Sequence, residues 1–136
     1  MDTIGLSCPV DDADTLTRPH HLLVVDDDHD LRLGLKCHLG ALGYDVSLAA
    51  RGQHAISIVQ RKHVDCVVLD LGLPDIPGIE VLQHLKVIRP NLPIIVVSAW
   101  NELKWEATTL DRGALLYLEK PVPPEQLFAA IQSLML

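Results

Sequence analysis

Asp70 stands directly after a short apolar run, residues 66–69, and before a turn rich in proline and glycine. An apolar run of this length, rich in β-branched residues, is typical of a strand that is buried on both faces. Ligands bind at the carboxyl ends of the strands in open parallel sheets, so Asp70 lies where a functional carboxylate is expected. Taken alone, its chemistry stays open between a nucleophile, a metal ligand and a helix cap.

A second acidic group, Asp26, Asp27 and Asp28, follows another apolar run at residues 21–25. Three carboxylates at one strand end repel one another unless a cation or water screens them. Asp28 can cap the helix that follows, because an acid is favourable at the positive end of the helix dipole. That structural role accounts for Asp28 and does not account for Asp26 and Asp27.

Two further apolar runs are followed by polar groups that suit phosphate chemistry. One run ends in the hydroxyl residue Ser98, and the last one is followed by Lys120. Because parallel strands end at one edge of a sheet, these residues should meet the aspartates there. Carboxylates suit a hard divalent cation such as Mg²⁺, whereas a lysine and a hydroxyl suit a phosphoryl group. The residue types together predict a site that accepts phosphate on a carboxylate.

Five predicted strands alternate with five predicted helices, and these elements would position the site residues. Parallel strands joined by helices require right-handed crossovers and a sheet that is covered on both faces, so the fold class is α/β. The second strand is short and alternating, which predicts a place nearer the edge of the sheet. The predicted strands are residues 21–25, 44–48, 65–70, 93–98 and 115–119, and the predicted helices are residues 29–42, 52–63, 79–88, 102–112 and 125–136.

The first predicted helix carries a leucine stripe and ends near Gly43. Its spacing predicts one face packed on the sheet. Cys37 on this helix and Cys66 on the third strand fall within apolar patterns, so both are predicted to be small core residues. The four histidines on or beside the first two helices are predicted to be exposed. The stripe consists of Leu31, Leu35, Leu39 and Leu42, and the histidines are His29, His38, His54 and His63.

The overall composition excludes several classes of protein. A length of 136 residues, with 49% hydrophobic and 4% aromatic residues, fits one domain with an aliphatic core. The net charge of −7 and the lack of a Lys/Arg cluster argue against direct nucleic-acid binding. The sequence shows neither a secretory signal pattern nor an apolar run that could span a membrane. Three cysteines without zinc-site spacing indicate a reducing, cytoplasmic setting.

The motifs of this chain resemble the receiver domain of two-component response regulators. The likeness covers residues 21–136 and leaves residues 1–19, which are predicted to form a flexible extension before a receiver domain at 20–136. The resemblance implies a flavodoxin-like, doubly wound fold with five parallel strands in the order 2-1-3-4-5 and five helices. The motifs that carry the resemblance are LVVDDD at 23–28, VVLDLGLP at 67–74 with Gly78, VSA at 97–99 and YLEKP at 117–121.

The resemblance also implies a role for each acid at the sheet edge. Asp70 would be the phosphoacceptor and a metal ligand. Asp27 would bind Mg²⁺ directly, and Asp26 would bind it through water. The backbone carbonyl of Gly72 would be a further metal ligand.

The remaining site residues would bind the phosphoryl group or respond to it. Ser98 would donate a hydrogen bond to the phosphoryl oxygens, and the backbone N–H group of Ala99 would add another. Lys120 would pair with the same oxygens. Tyr117 would act as an aromatic switch that changes its burial when Ser98 moves.

The implied function is a phosphorylation-activated switch that is not a turnover enzyme. The phosphoryl group would come from a histidine kinase or a phosphotransfer protein. Phosphorylation would then change the surface formed by the fourth helix, fifth strand and fifth helix, where a homodimer is also expected. No membrane contact and no direct binding of nucleic acid are expected. The output stays open, since the chain is either a stand-alone receiver or a part of a longer regulator.

Two other functions remain open beside this one. The first is a receiver-like interaction module that is never phosphorylated, although such modules usually lack some of these acids, the hydroxyl or the lysine. The second is a metal-dependent phosphatase with an aspartate nucleophile. Those phosphatases generally carry a second acid two residues later, a place that Gly72 occupies here.

Three residues depart from the usual pattern of the family, and one of them, Ser98 in place of the commoner threonine, keeps the hydroxyl and loses a methyl group. Pro77 stands where many relatives carry an acid, which we expect to alter only the loop. Trp100 lies two residues beyond Ser98, where it would crowd the path of attacking water. A change of Trp100 to alanine is therefore expected to change the lifetime of the phosphorylated state.

Overall fold

The computed structural model describes residues 20–99 and 103–135, apart from the side chains of Leu103 and Lys104. The predicted extension at 1–19 and Trp100 lie outside the described residues. Strands and helices alternate as the sequence predicts. The strands are β1 His21–Val25, β2 Asp45–Ala49, β3 Cys66–Leu69, β4 Ile94–Ser98 and β5 Leu116–Glu119, and the helices are α1 His29–Ala41, α2 Gly52–Arg61, α3 Gly78–Ile88, α4 Leu103–Asp111 and α5 Pro124–Met135.

The five strands form one parallel sheet in the order β2-β1-β3-β4-β5. This order confirms the doubly wound topology expected from the resemblance. The second strand lies at an edge, as its short alternating pattern predicts. Strand β3 is central and buried at every position, so the chain leaves the middle of the sheet at Asp70.

Helices cover both faces of the sheet because successive side chains of each strand point to opposite faces. Leu23 and Val25 of β1 pack in one core cluster with residues of α2 and α3. Leu22 and Val24 pack in the other cluster with residues of α1 and α5. Both clusters are built largely from aliphatic side chains, as the low aromatic content requires. No helix among residues 20–99 and 103–135 combines the length and the apolarity needed to cross a membrane.

Helix α1 follows the predicted pattern in its centre and departs from it at its end. Leu35 and Leu39 are buried, whereas Leu42 is 52% exposed because it lies at the C-cap rather than within the helix. The prediction that Cys37 belongs to the core is wrong, because its position turns it away from the buried leucines and it is exposed. Cys66 is buried, as predicted. All four histidines predicted to be exposed, at 29, 38, 54 and 63, are exposed.

Gly78 closes the loop that leads from Asp70 to α3. Its N–H group donates to the carbonyl oxygen of Leu71 at 3.0 Å. A Cβ atom at this position would lie 2.4 Å from the Leu71 Cα atom and 2.8 Å from the Asp70 carbonyl oxygen. Because both neighbours are backbone atoms, only glycine permits this close approach.

We therefore expect Gly78→Ala to lower the free energy of unfolding by about 2–3 kcal/mol. The matched control is Gly34→Ala in α1, where an added Cβ would meet nothing within 4 Å. That change should raise the free energy of unfolding by about 0.5–1 kcal/mol, because alanine favours a helix. Urea unfolding of the two variants measures both effects, and equal midpoints would contradict the close approach at Gly78.

Candidate functional site

The aspartates at the sheet edge are fixed by backbone hydrogen bonds that extend the strand ladders by one residue. The Asp26 N–H group donates to the Ala49 carbonyl oxygen at 3.0 Å, and the Asp70 N–H group donates to the Val25 carbonyl oxygen at 2.9 Å. Strands β1 and β3 are neighbours, so Asp26 and Asp70 emerge side by side. The sheet itself therefore brings the two predicted acidic groups together.

Asp26, Asp27 and Asp70 form a cluster in which one oxygen atom of each carboxylate lies within 4.8 Å of the others. Asp26 and Asp70 are only 4% and 8% exposed, whereas Asp27 is open to solvent. It is the only such group of potential metal ligands within the described part of the chain. Three oxygen donors, one of them reachable from solvent, fit a hard divalent cation that keeps several of its waters.

Lys120 joins this cluster from the end of β5. Its Nζ atom lies 2.7 Å from Asp26 Oδ2 and 3.7 Å from Asp70 Oδ2. The Lys120 N–H group donates to the Ser98 carbonyl oxygen at 2.8 Å, which fixes the residue beside β4. Burial lowers the pKa of Lys120, but the carboxylates of Asp26 and Asp70 outweigh it and raise the pKa overall. The ammonium group is therefore a permanent positive charge between two acids.

The electrostatics of Asp70 differ from those of an ordinary surface carboxylate. Burial raises the pKa of Asp70, and the nearby charge of Asp26 raises it further. The charge of Lys120 and a hydrogen bond from the Gly72 N–H group, at 3.3 Å from Oδ1, oppose this only in part. The ionised form of Asp70 is therefore disfavoured in the folded protein, and a bound cation would reduce this penalty.

The loop from β1 to α1 is held by three local contacts. The Asp28 side chain caps α1 by accepting from the Leu31 N–H group at 3.1 Å, as the sequence predicts. The Asp28 N–H group donates to Asp26 Oδ1 at 2.9 Å. Arg32 Nη1 donates to the Asp26 carbonyl oxygen at 2.7 Å. The sequence does not reveal this role of Arg32, because an arginine in an amphipathic helix normally indicates a solvated face.

Ser98 and Tyr117 form a pair beside the acidic cluster. Ser98 ends β4 and is 1% exposed, and Tyr117 lies half-buried on the neighbouring strand β5. Burial raises the pKa of Tyr117, and a side-chain hydrogen bond with Ser98 opposes that rise. The structure thus joins two predicted switch residues through a hydrogen bond.

A cavity of about 440 Å³ opens at this edge and is lined by four of the eight predicted site residues. These four are Asp26, Asp70, Ala99 and Lys120, and Asp28 adds a further carboxylate to the lining. Aliphatic side chains from α1, β1, β3 and β4, together with the two residues after Lys120, line the rest. The site thus combines charged groups with a largely apolar wall, which keeps water away from part of it.

Comparisons with known proteins agree with this geometry. The family model described as "Response regulator receiver domain" matches residues 22–132. The response regulator MprA of Mycolicibacterium vanbaalenii is 38% identical over 117 residues, which are 86% of this chain and 51% of that protein. The chain spans about half the length of the curated relatives that it matches.

Solved structures show the same likeness. A CheY-like receiver domain protein from Methanospirillum hungatei is 30% identical with a TM-score of 0.82, over 85% of this chain and 92% of that one. A response regulator protein from Burkholderia pseudomallei, solved with a phosphorylated aspartic acid, a calcium ion and citrate, is 25% identical with a TM-score of 0.78, over 84% of this chain and 67% of that one. The chain therefore belongs to the response regulator receiver domain family of two-component systems.

Proposed function

We propose that this receiver domain is a switch that accepts a phosphoryl group on Asp70 with the help of Mg²⁺. The observation that carries the proposal is the position of the Lys120 ammonium group, 2.7 Å from Asp26 and 3.7 Å from Asp70. Phosphoryl transfer depends on positioning and on neutralisation of charge, and the site offers a lysine and a cation-binding set of carboxylates for both. A neighbour that carries a phosphorylated aspartic acid and a calcium ion supports the same assignment.

Asp26, Asp27, Asp70 and the Gly72 carbonyl group would hold the cation. Bound Mg²⁺ would supply positive charge to the phosphoryl oxygens and offset the repulsion among the carboxylates. Asp27 is the exposed member of the set, so it is the natural direct ligand at the mouth of the site. The exposed position also gives the cation a path of entry.

The donor would be the phosphohistidine of a histidine kinase or a phosphotransfer protein. A carboxylate oxygen of Asp70 attacks the phosphorus atom, and the bond between phosphorus and the imidazole nitrogen breaks. The imidazole keeps the electron pair of that bond and takes up a proton. Lys120 and the Ala99 N–H group would stabilise the charge on the phosphoryl oxygens. The domain would thus be a phosphoacceptor and not a turnover enzyme.

The response to phosphorylation would pass through Ser98 and Tyr117. A phosphoryl group adds nearly two negative charges, which attract the Ser98 hydroxyl group. Because Ser98 shares a hydrogen bond with Tyr117, its movement would change the burial of the tyrosine and bias the surface of α4, β5 and α5. This surface would contact the output partner or a second copy of the chain. We further propose that residues 20–136 form the receiver domain and that residues 1–19 form an extension. The protein would act in the cytoplasm.

Beryllofluoride, which mimics a phosphoryl group on a carboxylate, tests the proposal. With Mg²⁺ present it should shift the amide NMR signals of Asp70, Ala99 and Tyr117. The same addition should leave Asp70→Asn unchanged, because the amide offers no carboxylate for the mimic. A wild-type spectrum that does not respond would instead favour an interaction module that is never phosphorylated. The phosphatase alternative has little support, since Gly72 provides no second acid.

A further inference from the structure

One carboxylate connects the loop after Asp70 to the start of helix α2. Asp75 Oδ1 accepts from the Gly52 N–H group at 2.8 Å, and Oδ2 accepts from the Gln53 N–H group at 2.9 Å. Asp75 belongs to the loop between β3 and α3, whereas both amides belong to the first turn of α2. The two hydrogen bonds therefore join segments that are more than twenty residues apart in the sequence.

Helix α2 depends on this contact because it lacks a cap of its own. Its N-cap residue, Arg51, makes no side-chain capping hydrogen bond, and its first turn contains no acid. The first N–H groups of a helix have no partner inside the helix, so an outside acceptor stabilises them. Asp75 also brings a negative charge to the positive end of the helix dipole. Although slight burial raises the pKa of Asp75, the hydrogen bonds from Gln53 and Gly52 lower it overall.

Close packing supports the same connection. A Cβ atom at Gly52 would lie 2.5 Å from Val81 Cγ2 and 2.6 Å from Ile76 Cγ1. The start of α2 thus rests directly on the residue after Asp75 and on α3. A second hydrogen bond joins the two ends of the loop, because the Gly78 N–H group donates to the Leu71 carbonyl oxygen at 3.0 Å. The loop that carries Gly72 is therefore held where its ends meet, and Asp75 fastens its middle to α2.

We propose that Asp75 is a positioning residue for the cation site, because its cap on α2 fixes the loop that presents Asp70 and the Gly72 carbonyl group. The proposal rests on the proposed function only in taking the cation to bind at these two residues. A residue that merely stabilised α2 would change the stability of the protein and leave the affinity for the cation unchanged.

The dissociation constant of Mg²⁺, measured by calorimetry on the full chain, separates these two roles. Asp75→Ala should weaken Mg²⁺ binding about tenfold, the scale seen when the supports of metal ligands are lost. Asp75→Asn should weaken it less, because its one carbonyl oxygen keeps one of the two amide hydrogen bonds. Asp30→Ala and Asp30→Asn are matched controls, since Asp30 is an exposed acid in the first turn of α1. They report the effect of removing one negative charge.

An NMR titration of the wild type provides a second readout that does not depend on any variant folding. Addition of Mg²⁺ should shift the amide signals of Gly52 and Gln53 with the same dissociation constant as that of Gly72. Asp75→Asn should reduce the first two shifts and leave the Gly72 shift in place.

The outcomes distinguish the two proposals. If the wild type binds Mg²⁺ and the Asp75 variants bind it as tightly as the Asp30 controls, the positioning role is overturned and the proposed function stands. If the wild type binds no Mg²⁺, both proposals fall. Amide signals of Gly52 and Gln53 that do not shift in a wild type that binds Mg²⁺ would also overturn the positioning role.

Discussion

Lys120→Met should lower the free energy of unfolding of the Mg²⁺-free protein by about 2 kcal/mol. The change removes the cation that lies 2.7 Å from Asp26, a carboxylate that is only 4% exposed. An unpaired charge in such a place loses its hydration without gaining a partner. The value is set below that for a fully buried pair, because Lys120 keeps part of its side chain in solvent.

The same variant should bind Mg²⁺ more tightly than the wild type. With the ammonium group gone, Asp26, Asp27 and Asp70 present more uncompensated negative charge to the cation. Saturating Mg²⁺ should therefore raise the melting temperature of Lys120→Met by more than it raises that of the wild type. Thermal unfolding with EDTA and with Mg²⁺ measures both effects. Lys36→Met, at an exposed position on α1, is the control and should behave like the wild type.

Asp70→Asn should raise the free energy of unfolding of the Mg²⁺-free protein by about 1 kcal/mol. Burial and the charge of Asp26 raise the pKa of Asp70, so its ionised form is disfavoured in the folded protein. The amide keeps the shape of the side chain and removes that charge. Because this change also removes a metal ligand, the stabilisation by Mg²⁺ should become smaller in the variant. Unfolding in urea with EDTA, and again with Mg²⁺, gives both quantities.

The effect of Asp70→Asn should depend on pH in a defined direction. The folded-state pKa of Asp70 is raised above the ordinary value of 3.8, so the ionised group destabilises the fold at every pH above the folded-state pKa. This destabilisation disappears as the pH falls from the folded-state pKa towards 3.8. The advantage of the variant should therefore be largest at neutral pH and shrink in acid. Asp45→Asn, at an exposed position, should show no such advantage, and an equal gain there would contradict the assignment.

The sequence identifies the acidic site because each of its residues stands at the end of a strand. Asp26 and Asp70 follow apolar runs that are typical of buried strands, and the parallel sheet brings such ends to one edge. The same logic places Lys120 there, and the structure confirms its contact with both acids. The order of the strands comes from the resemblance, because local pattern does not specify which strands pair.

Contacts and orientations that depend on the path of the backbone are the part that the sequence does not reveal. Asp75 lies in a loop full of turn residues, and nothing local shows that its carboxylate caps α2. The bond from Arg32 to the Asp26 carbonyl group depends on the path of the backbone, which residue types do not encode. Cys37 falls within an apolar pattern that predicts a place in the core, whereas its position on α1 turns it to solvent.

The most direct test of phosphorylation at Asp70 is the intact mass of the protein after incubation with acetyl phosphate. The wild type should gain the mass of one phosphoryl group when Mg²⁺ is present, and far less of it when EDTA replaces Mg²⁺. Asp70→Asn should gain none under either condition. A wild type that gains no phosphoryl group although it binds Mg²⁺, or a variant that gains as much as the wild type, would contradict the role of Asp70 as the phosphoacceptor.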